Sequence, residues 1–204
     1  MRRLASTLHG PVAKSRILVI LLGVTIAACS RGPPDDPQVA FWQSIRSLCG
    51  QAFEGRLIEG SAADSAALRE PLVLEVWQCY ADELRLALHA GDDHSRVWLV
   101  SPTSDGLALH HSLHGRDGEA LPYSGYGGET VGLGTATTQV FLPDQETLAD
   151  VPTSEGAEWV LEVVPGDRIT YRLRSPATAD FRVDFDWGAR AARQPAPWGF
   201  TRRR

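Results

Sequence analysis

Apolar and polar positions alternate with a period of two along much of the chain between Leu72 and Asp186, the pattern of strands that bury one face. The alternation is clearest over residues 83–114. There Leu84, Leu86 and Leu88 alternate with Glu83, Arg85 and His89, and Gly91-Asp92-Asp93 reverses the chain. Val97 and Leu99 alternate with Arg96 and Trp98, and Ser104-Asp105-Gly106 reverses it again. Leu107, Leu109, His111 and Leu113 then share one face, opposite Ala108, His110, Ser112 and His114. Period-two runs with turn chemistry between them predict three consecutive antiparallel strands.

The same reading predicts strands over residues 55–58, 72–80, 135–141, 158–164, 168–174 and 181–186. Residues 123–134 hold five glycines and read as a glycine-kinked strand at a barrel corner or a loop at a barrel mouth. Residues 143–150 have room for one helical turn, and 59–70 reads as a loop. Ahead of the strands, Phe41, Ile45, Leu48 and Ala52 fall at helical spacing and predict a helix over 39–53. About eight to ten strands with short links leave two vulnerable edges unless the sheet closes. The expected fold is therefore mainly β: a single antiparallel up-and-down β-barrel with one N-terminal helix as plug or lid. A two-sheet β-sandwich is the alternative. Residues 188–204 lack periodicity, end in three arginines and read as a flexible basic tail.

The first residues belong to a different class. Arg2, Arg3, Lys14 and Arg16 precede an apolar run from Ile17 to Ile26, too short to span a bilayer comfortably and placed as the core of a secretory signal. Ile26-Ala27-Ala28-Cys29 resembles the lipobox of bacterial lipoproteins. This predicts a signal peptide over 1–28, a lipidated Cys29 followed by a proline-rich tether to residue 38, and a barrel domain over 39–187. Several acyl chains on Cys29 would make a permanent membrane anchor. Ser30 in place of aspartate favours the outer membrane, with the domain facing the periplasm.

Charge and cysteine content sharpen this picture. The chain carries a formal charge of −5, and removing four basic residues and no acidic one with the leader leaves −9. An acidic domain excludes nucleic acid as a partner. In an oxidising compartment Cys49 and Cys79 are expected to pair, stapling the helix to the strand over 72–80.

Five of the six histidines lie within 83–114, so candidate chemistry concentrates there. His89, Asp93 and His110 are weak candidates for a metal site assembled across strands, and solvated polar side chains are the simpler reading. His111 differs, because it occupies an inward position between Leu109 and Leu113 and must find a partner for each ring nitrogen. Either Tyr171 or a buried water satisfies it within the core, or it anchors a ligand in an apolar cavity with Trp159, Tyr123, Tyr126 and Tyr171. The chain lacks G-x-S-x-G, P-loop and H-E-x-x-H motifs, so no catalytic residue and no cofactor is assigned.

FWQSIRSLCGQAFEGRL, HAGDDHSRVWLV, YGGETVGLGTATTQVF and FRVDFD together resemble a family of bacterial secreted proteins and lipoproteins to which no activity is attached. The resemblance spans residues 41–186 and implies the Cys49–Cys79 bridge and a histidine at position 111. It departs at Leu113, where the family carries a further histidine, and this weakens the metal reading. Leu48 to Gly55 also resembles the opening of lipocalin-like barrels, a likeness of fold. Three functions remain at this point: a barrel binding a small, partly apolar ligand; a cell-envelope scaffold using an exposed patch around Trp98 and Trp187; and a metal-assisted enzyme. No protein partner is named by the sequence.

Overall fold

The computed structural model describes residues 36–68 and 70–202. The segment expected to be a signal peptide, residues 1–28, and Cys29 lie outside them. The alternating runs form the wall of a barrel in which every strand pairs with its neighbours in sequence. Those strands are β1 (Ala52–Glu59), β2 (Leu72–Cys79), β3 (Leu84–Ala90), β4 (Asp93–Pro102) and β5 (Leu107–Leu113). β6 (Gly127–Thr130), β7 (Thr138–Pro143), β8 (Glu158–Val164), β9 (Arg168–Arg174) and β10 (Phe181–Arg190) complete it. β10 pairs back onto β1, with Gly55 opposite Phe185 and Leu57 opposite Val183, so no edge is left and the sandwich is excluded.

Inward positions of the wall build one core. Leu72, Leu74 and Val76 of β2 meet Leu84, Leu86 and Leu88 of β3, while Trp98 and Val100 of β4 meet Phe185, Tyr171 and Leu161 from across the barrel. Trp98 is only 3% exposed, which overturns its expected place on the outer face. The parity of β4 is the reverse of the sequence reading. Arg96, Trp98 and Val100 point inward, and Val97 lies in a small outer cluster with Trp77 and Ala87.

Each end of the barrel carries a short helix. α1 (Pro37–Arg46) buries Phe41 and Ile45 and contacts β2, β7 and β8. Asp36 caps it by accepting from the Gln38 amide at 2.8 Å. It stops seven residues before the expected end at Phe53, because Gly50 adopts φ 77° and turns the chain, and Ala52 and Phe53 enter β1. Cys49 and Cys79 are bonded, with Cα atoms 6.1 Å apart, tying the segment after α1 to the end of β2. At the opposite end, α2 (Ala62–Ala67) lies in the stretch expected to be a loop. Its capping box joins Ser61 to Asp64, a pattern the sequence carried in Ser61-Ala62-Ala63-Asp64.

Residues 123–134 are neither one kinked strand nor one loop. They finish the β5–β6 connection, run along the wall as β6 and leave it at the α1 end. Here glycine permits close approach. A Cβ on Gly128 would strike the Leu142 carbonyl, and one on Gly127 the Leu109 carbonyl. A third short helix, α3 (Gln145–Asp150), lies in the β7–β8 connection.

The C-terminal segment is a strap, in contrast to the expected flexible tail. β10 continues to Arg190, and residues 191–202 cross the outer face of β2–β4. Phe200 meets Trp77 edge-on at 5.9 Å, and Trp198 donates its amide to the His94 carbonyl at 3.0 Å. Arg202 donates to Glu75, whose carboxylate is fully buried and also accepts from the Gln194 amide. Among the described residues no helix is long and apolar enough to cross a membrane.

Candidate functional site

An aromatic layer crosses the barrel near the α2 end, built from inward residues of four strands and the segment before β6. Tyr171 of β9 stacks on Trp98 of β4, ring centres 4.2 Å apart and planes 15° apart. His111 of β5 stacks on Tyr126 at 4.3 Å and 3°, and Trp159 of β8 packs against both rings. Two hydrogen bonds fix the imidazole. Its Nδ1 lies 3.1 Å from the Tyr126 carbonyl and its Nε2 lies 2.7 Å from the Tyr171 hydroxyl. A carbonyl can only accept, so Nδ1 carries the proton, Nε2 is the bare acceptor and the Tyr171 hydroxyl donates to it. Both ring nitrogens are therefore satisfied inside the core.

Burial dominates the ionisation of this layer. It pulls the His111 pKa down to about 3, against a smaller opposing effect of the bond to Tyr126. It pushes Tyr126 up to about 12 and Tyr171 well above the ordinary phenol range. The layer is thus uncharged at neutral pH.

Above the layer, towards α2, a cavity of about 430 Å³ opens to the surface. Trp98 and Tyr171 form its floor, and Leu88, Leu173 and Phe181 line its sides. Leu68 and the first and last turns of α2 overhang it, yet α2 itself buries no residue. Among the described residues Arg96 is its one basic residue, and it is bonded through Nη1 to Asp93 at 2.6 Å. The middle of the barrel beneath is filled by Phe141, Phe185, Leu109 and Leu161, all fully buried.

Of the residues singled out from sequence, His111, Tyr126, Trp159 and Tyr171 meet in this layer. Tyr123 does not. It is 64% exposed, adopts φ 64° and borders a separate hollow of about 90 Å³ with His110 and Asp144. The metal candidates have separate partners. His89 Nδ1 lies 2.8 Å from His94 Nδ1, Asp93 accepts from the Ser95 amide and Arg96, and His110 Nε2 lies 3.1 Å from Asp144. Among the described residues no three histidine, cysteine or acidic side chains are grouped to hold a metal. His89 is not a solvated residue of a polar face. It is 1% exposed beneath the strap, where burial and then His94 pull its pKa down to about 4.

Trp98, Arg96 and α2 escaped the sequence reading. The inverted parity of β4 hid the first two, because its outer positions Val97 and Leu99 are as apolar as its inner ones. Compared with protein-family models, curated proteins and solved structures, the chain matches none.

Proposed function

We propose that this chain is a ligand-binding barrel that takes a small, partly apolar molecule into the mouth beneath α2. The observation that carries the reading is the 430 Å³ cavity standing on a rigid aromatic floor. Its size falls within the range of small-molecule sites, and its lining combines apolar walls with a few fixed polar groups. The floor is pre-organised, since Tyr171 is held by both Trp98 and His111. A bound molecule would therefore order little of the protein beyond α2. Burying on the order of 250 Å² of ligand apolar surface gives roughly 6 kcal/mol, which corresponds to roughly tens of micromolar before association costs weaken it.

The location belongs to the same proposal. On the pattern of residues 1–29, the barrel is held by an acylated Cys29 on the periplasmic face of the outer membrane of a Gram-negative bacterium. Radiolabelled palmitate incorporated by the wild type and not by Cys29→Ser is the expected result. Label retained in that variant would remove the anchor.

The binding reading is tested on the unit Pro33–Arg204, which is compact and supplies its own core. Native mass spectrometry after purification without added ligand is expected to show an adduct that collisional activation releases. Saturable fluorescence of the neutral probe N-phenyl-1-naphthylamine, abolished by the cavity-filling Leu173→Trp, is the companion result. A bare-chain mass together with no saturable probe binding would end the reading.

A further inference from the structure

We infer that the molecule taken by this cavity is an amphiphilic anion, its oxyanion on Arg96 and its apolar body over Trp98. The inference rests on the ligand-binding reading above and adds the chemical class.

Its starting point is the position of Arg96 in the wall. On β4 it occupies the inward face one pair before Trp98, and its partners across the sheet are Leu88 on β3 and Leu113 on β5. An arginine in a run of inward apolar positions is the informative exception, because charged side chains are rarely turned towards a core without a partner. Arg96 has a partner that occupies little of it. One guanidinium nitrogen donates to Asp93 at 2.6 Å, and among the described residues the remaining donors meet no protein acceptor.

The other ionic group among the described residues lining the cavity, Asp64, is differently placed. The Asp64 carboxylate accepts from the Ser61 amide at 2.7 Å and from the Ser61 hydroxyl at 2.6 Å, both on Oδ2. Its work is capping α2. Among the described residues lining it, the cavity therefore offers unspent donors on Arg96, while the Asp64 carboxylate is engaged through Oδ2 in the cap of α2. A molecule covering Arg96 must bring acceptors, since buried donors without them are costly. The planar fork of a guanidinium matches a carboxylate or a related oxyanion. Leu88, Trp98, Leu173 and Phe181 supply the apolar surface next to it. One end of the ligand is then anionic and the rest apolar.

Two fluorescent probes of nearly the same frame separate this class from a merely apolar one. N-phenyl-1-naphthylamine is neutral, and 8-anilino-1-naphthalenesulfonate carries an anion. On the Pro33–Arg204 unit, Arg96→Gln is expected to weaken the anionic probe by about 10-fold or more, the value of a lost charge-assisted bond. The neutral probe should change by less than about two-fold. Asp93→Asn is the sharper variant, because it keeps the Oδ1 that accepts from the Ser95 amide at 2.9 Å while removing the charge that competes for Arg96. It is expected to tighten the anionic probe several-fold and leave the neutral one unchanged.

If Arg96→Gln weakens both probes equally, Arg96 is only a wall and the anion is overturned. An anionic probe indifferent to both variants sits elsewhere and overturns it too. If neither probe binds the wild type, the cavity reading itself fails. That outcome is distinct, because it appears before any variant is made.

Discussion

The two ends of the barrel carry short helices put to opposite uses. At one end α1 drives Phe41 and Ile45 into the core, Leu48 follows in the turn behind it, and the Cys49–Cys79 bond fastens that turn to β2. At the other end α2 buries nothing, and a cavity lies beneath it. The difference teaches that a barrel of this size needs a filled middle and one sealed end. Once the layer of Trp98, Tyr171 and His111 closes the interior from below, the second end is released from packing. Mutations should follow the same division. Changes at α1 should cost stability, and changes at α2 should alter access.

The largest effect is expected at the sealed end. Phe41→Ala leaves a cavity among Ile45, Leu48 and the inner wall, and should destabilise by about 3–5 kcal/mol in urea unfolding. Removing the disulfide at the same end should cost about 3–4 kcal/mol, the chain-entropy value for a bridge spanning 30 residues. Paired Cys49→Ala and Cys79→Ala measured beside the wild type would show it. A loss under about 1 kcal/mol in both experiments would mean that α1 rests on the barrel without sealing it.

The shared floor gives a mid-sized effect with a defined pH window. His111 has a folded pKa of about 3 against an ordinary 6.5, so between these values the unfolded chain binds a proton that the folded barrel refuses. Its contribution is complete above pH 6.5 and is lost as pH falls towards 3. At pH 5 the loss should be about 2 kcal/mol. His89, beneath the strap, titrates in the same direction from about 4 and adds a slope of its own. Comparing the wild type with His111→Gln between pH 7 and pH 5 cancels that second slope. Parallel pH dependences for the two proteins would show that the floor does not hold a neutral imidazole.

Much of the barrel was legible in the sequence because its cause is local. Period-two alternation and polar turns over 83–114 became β3, β4 and β5, and the inward place of His111 followed from Leu109 and its neighbours. The parts that were missed depend on what covers a second face. β2 is apolar on both sides, and Trp77, Ala87 and Val97 lie on the outer face of the barrel, where water was expected. That excess of apolar residues called for a cover, and the aperiodic C-terminal strap supplies it. The same excess disguised the parity of β4 and with it Arg96 and Trp98. Within the candidate site, histidine and tyrosine could be named from sequence because each needs a partner. A cavity could be expected too, but not its place, since that depends on how far α2 stands from the floor.

The smallest effect is expected at the open end, and it sharpens the comparison most. Ser61 caps α2 by accepting from the Asp64 amide at 3.2 Å, while the Asp64 carboxylate answers the Ser61 amide at 2.7 Å. Ser61→Ala removes the hydroxyl from that box and should weaken the helix by about 1 kcal/mol. Because α2 buries no residue, its opening need not unfold the barrel, so the global urea midpoint should hardly move. Local measures should respond instead. Amide exchange within Ala62–Ala67 should quicken about five-fold, the factor that corresponds to 1 kcal/mol, and probes should enter and leave the cavity faster. A global loss approaching that of Phe41→Ala would make α2 a second plug and erase the distinction between the ends. Faster exchange confined to α2, with an unchanged midpoint, would establish it as a lid whose stability is set apart from that of the barrel it covers.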